Sequence, residues 1–165
     1  MPPTNAPNPE QSPASSAAPE AQLAAFVAKY SPAIAALAEE AIERMRSYLP
    51  GAIELVYDNY NALAIGFGPS DRASEAIFSI ALYPRWVSLF FLQGAGLPDH
   101  SKILQGTGTL ARHLIIKSPD TLDEPAVQML IEQALLHATV PIDPTQPGRL
   151  VIKSVSEKQR PRRPE

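Results

Sequence analysis

The sequence predicts an α+β fold: an antiparallel sheet of about five to six strands with two long helices packed on one face. Three observations carry this reading. Apolar residues recur at three- and four-residue spacing in two separate stretches, Ile34 to Tyr48 and Val127 to Leu135. Between them lie short runs with a period of two, divided by turn residues, which read as a meander. The 165 residues suffice for one ordinary domain, and a 45% hydrophobic fraction beside 19% charged is ordinary for a globular core.

Residues 1–20 hold six of the eighteen prolines, with Ala, Ser and Asn and only two charges. Nothing there repays the entropy of ordering, so they are expected to form a disordered tail. Leu23, Phe26 and Val27 begin a short helix ending near Tyr30. Ser31-Pro32 reads as an N-cap followed by proline at the first helical position, where the missing N–H costs little. Ile34, Leu37, Ala41, Met45 and Tyr48 form the stripe of the helix that follows, and Pro50-Gly51 stops it.

From Ile53 the period becomes two: Ile53, Leu55 and Tyr57 alternate with Glu54 and Val56. Asp58-Asn59-Tyr60-Asn61 then supplies turn chemistry. In the second strand Leu63, Ile65 and Phe67 share a face, with small Ala62, Ala64 and Gly66 on the other. Gly68-Pro69-Ser70-Asp71 breaks it. Ile77–Tyr83 and Trp86–Leu92 make two more strands around the Pro84-Arg85 turn. Residues 94–109 read as a loop and His113–Lys117 as a fifth strand. Asp123 is expected to cap the second long helix, with Val127, Leu130, Ile131, Ala134 and Leu135 as its stripe. Leu150-Val151-Ile152 can add an edge strand. The division is a tail over 1–20, one domain over 21–155 and a basic flexible tail over 156–165.

Composition excludes several chemistries. Without cysteine there is no disulfide, thiolate metal site, Fe–S cluster or cysteine nucleophile. No apolar run approaches the length of a membrane span. The first residues lack the basic flank and apolar stretch of a signal peptide, so a cytoplasmic protein without membrane contact is expected. The net charge of −3 argues against a protein basic all over. Charge is unevenly spread, however. Residues 149–165 carry six Lys or Arg against two Glu, a net of +4, which leaves −7 on the rest. The run Lys158-Gln159-Arg160-Pro161-Arg162-Arg163 offers weak, sequence-blind nucleic-acid contact at most.

Gly106-Thr107-Gly108-Thr109-Leu110-Ala111 matches a dinucleotide fingerprint by letters. The chemistry needs a strand before it and a helix opening after it, whereas a loop precedes and a strand follows, so it reads as a turn. No nucleophile elbow or Ser/Lys motif is present. None of His100, His113 and His137 lies three or four residues from another, so no local metal pair exists. Glu39, Glu40 and Glu43 cluster on one helix and could hold a hard cation or ferrous iron weakly, but Arg44 and Arg46 stand at pairing distance. Two turns, at 58–61 and 83–85, carry aromatics beside hydrogen-bonding groups and fall at the same end of a meander. Tyr57, Asp58, Tyr60, Asn61, Tyr83, Arg85 and Trp86 are therefore the candidate ligand-binding residues. An enzyme working through Asp58, Tyr57 and His100 is the less favoured alternative, and no catalytic residue is assigned.

The runs Val56-Tyr57-Asp58-Asn59-Tyr60-Asn61-Ala62-Leu63-Ala64-Ile65-Gly66-Phe67, Tyr83-Pro84-Arg85-Trp86-Val87 and Arg112-His113-Leu114 resemble the YdhG-like family, a domain family of unassigned function. The resemblance covers roughly residues 20–155. It implies a compact α+β domain similar to the frataxin-like sandwich, without a catalytic set and without a resident cofactor. It also implies an alternative role as an intracellular iron chaperone using surface carboxylates, for which Glu39, Glu40 and Glu43 are the candidates. The first expectation is a non-enzymatic module that binds a small ligand or a partner.

Overall fold

The computed structural model describes residues 19–164. The expectation for the N-terminal tail lies outside the described residues, except that Pro19 and Glu20 already belong to helix α1, Pro19–Ala28. Helix α2 spans Pro32–Tyr48. Ser31 is extended there and its Oγ accepts the Ile34 N–H at 3.5 Å, while Pro32 occupies the first turn, so both start signals act as the local chemistry dictates. Gly51 ends the turn after α2 at φ +82°. A Cβ there would lie 2.1 Å from the Asp143 carbonyl oxygen, so only glycine allows the later chain to pass so close.

Strands β1 (Ile53–Asp58), β2 (Leu63–Gly68), β3 (Phe78–Leu82), β4 (Val87–Phe91) and β5 (Arg112–Ile116) form the antiparallel meander. Helix α3 covers Pro125–His137, and β6 (Arg149–Val155) closes the sheet. The strand order is β5-β4-β3-β2-β1-β6, and β6 pairs with β1 in parallel. The sheet is thus mixed, which corrects the expectation of an all-antiparallel one. A parallel neighbour needs a crossover, and residues 117–148, with α3 inside them, supply it.

The register fixes the faces. Val56, Ile65, Ile80, Leu89 and Leu114 lie in one row, flanked by the rows of Phe67, Phe78 and Phe91 and of Leu63, Leu82, Val87 and Ile116. All belong to one buried cluster with Val27 and Tyr30, Ala38, Ala41 and Met45 of α2, and Leu130 and Ile131 of α3. Burying this surface is the main term favouring the fold, at about 25 cal/mol per Å² of apolar area. Glu54 and Asp58 sit on that same face, opposite Phe67 and Leu63. Ile53, Leu55 and Tyr57 take the other face. Residues 69–77 fold over part of it. A Cβ on Gly68 would lie 2.9 Å from Ala76 Cα, so glycine permits that close approach.

Two further expectations are corrected. Asp123 does not cap α3: it ends a 3-10 turn, Pro119–Asp123, and its carboxylate takes the Arg44 guanidinium and the Tyr48 hydroxyl. Glu124 precedes α3 without a side-chain cap, and Pro125 starts the helix. The segment after β6, expected to be a flexible tail, packs back across the end of the sheet. Ser156 N–H donates to the Asp58 carbonyl at 2.8 Å, Arg160 N–H to that of Tyr60 at 2.8 Å, and Arg162 is only 6% exposed. No described helix is long and apolar enough to cross a membrane.

Candidate functional site

Asp58 ends β1 and Leu63 begins β2; Leu82 ends β3 and Val87 begins β4. The pairs Asp58–Leu63, Leu63–Leu82 and Leu82–Val87 put the two aromatic turns at one end of the sheet. The face opposite the one that holds Val56, Ile65 and Ile80 is open there. Ala64 and Ala81 are cross-strand partners, and Ser79 lies one residue pair further along the same face. These small side chains form the floor of a shallow groove of about 550 Å³, walled by Tyr60, Tyr83 and Phe90, with Asn59, Asn61 and Ser156 on its rim.

Of the seven candidate residues, Tyr60, Asn61 and Tyr83 line this groove. Trp86 backs it: its ring stacks on Tyr83 with centroids 4.8 Å apart and planes at 24°, and 41% of the residue remains exposed. Tyr57 lies on the groove's face beside Ala64, and its hydroxyl is buried without a hydrogen-bond partner among the described residues. Arg85 is exposed on the turn and lies outside the groove lining. The cation over the Tyr60 ring is Arg160, 5.7 Å from the centroid.

Asp58 is not in the groove at all. Its side chain lies on the sheet face of Glu54 and Val56, where it is fully buried. Lys29 Nζ stands 2.6 Å from one carboxylate oxygen and Arg162 Nη2 2.9 Å from the other. Burial pushes this carboxyl up, and hydrogen bonds from Lys29, Gln159 and Arg162 outweigh it and hold the group below its ordinary value. The Arg162 guanidinium also donates to the Asn59 and Tyr60 carbonyls and lies 5.7 Å from the Tyr30 ring. Arg163 caps α1, donating to the Ala28 and Lys29 carbonyls, where a cation meets the negative end of the helix dipole. Arg160, Arg162 and Arg163 of the basic run are therefore engaged in the fold. A buried arginine clamp on Asp58 had no local signal, because the partners are 104 residues apart.

The other sequence candidates do not assemble. His100 is in the loop between β4 and β5, which begins and ends at the opposite end of the sheet from Asp58 and Tyr57. Gly106 and Gly108 lie in that same loop, and β5, not a helix, follows them. Glu39, Glu40 and Glu43 border a shallow surface depression with Arg44 and Ser47. Arg46 takes Glu43 at 3.0 Å and also pairs with Glu20 and Glu54. Arg44 does not turn to Glu40; it reaches Asp120, Asp123 and the Pro119 carbonyl. Among the described residues no group of three or more acidic or histidine side chains is arranged to hold a metal ion.

A second concavity was not visible in the sequence. It is a cleft of about 430 Å³ at the opposite end of the sheet, between the end of α3, the start of β3 and the turn after β4. Ile77, Phe91, Leu97, Ala134, Ala138 and Val140 give it an apolar wall; Glu75, Gln93, His137 and Thr139 add polar groups. Its lining comes from three separate segments, 74–77, 91–97 and 134–140, and each reads locally as ordinary core or loop. Comparison with family models, with curated proteins and with solved structures finds no match to this chain.

Proposed function

We propose that this protein is a non-enzymatic binding module whose recognition surface is the open groove at the sheet end. The observation that carries the reading is a floor of Ala64, Ser79 and Ala81 set between the rings of Tyr60, Tyr83 and Phe90. Small floor residues leave a trough about one side-chain layer deep, and aromatic walls offer flat apolar contact. Asn59 and Asn61 supply amide donors and acceptors at the rim. That combination suits a flat, ring-bearing small molecule with a polar edge. The buried carboxylate nearest the groove, Asp58, is engaged by Lys29 and Arg162 on the other side of the sheet, which supports holding over transforming a ligand. The pairing of Glu43 with Arg46 weighs against the iron-chaperone alternative. The YdhG-like, frataxin-like assignment, with both long helices on one face, stays part of this proposal. It is supported by the order of helices, meander, helix and final strand.

The test is a panel of heteroaromatic fragments followed by amide chemical shifts. Binding should move the resonances of residues 60–64, 79–83 and 90, and Ala81→Phe, which fills the trough, should abolish the shifts. Shifts confined to other regions, or unchanged by Ala81→Phe, would sink the proposal.

A further inference from the structure

We infer that the cleft beside the end of α3 is a second binding site, selective for a small apolar molecule bearing a cationic amine. Its volume, about 430 Å³, falls within the range of small-molecule sites and differs in place and chemistry from the sheet-end groove. Ile77, Phe91, Leu97 and Val140 provide the apolar contact for a short alkyl or ring body.

The sign of the headgroup follows from three observations. Among the described residues lining the cleft, Glu75 is the only carboxylate, and none is Lys or Arg. Its Oε2 accepts the Ser70 hydroxyl at 2.7 Å, which holds the carboxylate in one orientation. The cleft also abuts the last turn of α3 through Ala134, His137 and Ala138. The final carbonyls of a helix lack intrahelical partners and carry its partial negative charge, so they favour a cation and disfavour an anion. Finally, His137 Nδ1 lies 2.8 Å from the Gln133 carbonyl. Only a donor can bond a carbonyl oxygen, so Nδ1 carries a proton, and in the tautomer protonated there alone Nε2 is an acceptor. Carboxylate and helix end accept, as does the imidazole in that tautomer, and an ammonium group donates three times.

The experiment compares octylamine, octanol and octanoate, equal in chain length and different in headgroup charge, below their micellar concentrations at pH 8. Affinity is read by calorimetry, and the site by amide shifts at Ile77, Leu97 and 134–140. The amine should bind in the cleft roughly tenfold tighter than the carboxylate, with the alcohol between. Glu75→Gln should narrow that ratio several-fold. Gly96→Leu should weaken binding of all three, since Gly96 lines the cleft and an added Cβ there meets nothing within 4 Å, so the fold tolerates the larger side chain. Equal affinities, tighter carboxylate binding, shifts outside the cleft or no binding would each overturn the inference. None of these outcomes bears on the sheet-end groove, whose reporting residues are different.

Discussion

Tyr30 and Asp58 show how single polar groups hold the sheet end together. The Tyr30 hydroxyl, buried in the link between α1 and α2, donates to the Leu82 carbonyl at 2.8 Å and accepts the Leu63 N–H at 3.1 Å. Leu63 and Leu82 are cross-strand partners at the ends of β2 and β3, so one oxygen satisfies two backbone groups. Burial accordingly raises the Tyr30 hydroxyl above its ordinary value. Tyr30→Phe leaves both backbone groups unpaired, and we expect about 1–3 kcal/mol of lost stability by denaturant titration. A neutral result would mean water replaces the hydroxyl. For Asp58 the sign of the pH dependence is set by its lowered value. The ionised form favours folding, so its contribution is complete above the ordinary carboxyl value of 3.8 and is lost as pH falls through the lower folded value. Asp58→Ala should cost about 3–5 kcal/mol at pH 7, because it leaves Arg162 buried without its counter-charge. The gap between the variant and the native chain should shrink on acidification below about pH 4. A gap that persists unchanged at pH 2 would show that the carboxylate charge is not what matters.

At the level of elements, the segment after β6 behaves as part of the domain. Gln159, Arg162 and Arg163 tie it to Asp58, Asn59 and the end of α1. Ending the chain after Ser156 should therefore destabilise by about 3 kcal/mol or more. At about 2–4 °C per kcal/mol for a chain of this size, Tm should fall by roughly 6–12 °C in a calorimetric scan. An unchanged Tm would return the segment to the status of a loose tail. The elements themselves were largely legible: the Ser31-Pro32 start, the Pro50-Gly51 stop and the turns at 58–61 and 83–85 are local chemistry. So was the shared end of the two aromatic turns, which follows from a meander alone. The faces of β1 were not. Ile53, Leu55 and Tyr57 look like the core side of an alternating strand, but β1 is buried on both faces, and alternation carries no sign there. Glu54 and Asp58 enter the helix face only because Arg46, Lys29 and Arg162 neutralise them, and those partners are set by the tertiary fold. The parallel pairing of β6 depends on a crossover of some thirty residues, which no short-range pattern records. The basic run misled for a related reason: proline and arginine read as solvated chain, and only the buried carboxylate on β1 makes a clamp of them.

Across the whole molecule, Asp58 joins three parts distant in sequence: the end of α1 through Lys29 on its carboxylate, the sheet through β1, and the C-terminal segment through Arg162 on its carboxylate and Gln159 on its main-chain carbonyl. Such a junction predicts that damage at its members is shared. Removing residues 157–165 takes away Arg162 and Gln159, leaves Asp58 with Lys29 as its remaining charged partner, and lets water reach the site. Asp58→Ala in the full chain has a different effect, stranding a buried guanidinium whose Nε already lacks a partner among the described residues. In the shortened chain no guanidinium is stranded, so the same substitution should cost much less there. We expect the double variant to fall short of the sum of the single effects by about 1–3 kcal/mol, as contacting residues in one network do. Lys29, 40% exposed at its side chain, should couple more weakly, because solvent screens an exposed partner. The cycle is measured by urea unfolding of the four proteins at pH 7. Strict additivity would mean that Arg162 and Asp58 stabilise the fold independently, and that the C-terminal segment is held by its backbone bonds to Asp58 and Tyr60 and not by the buried charge pair.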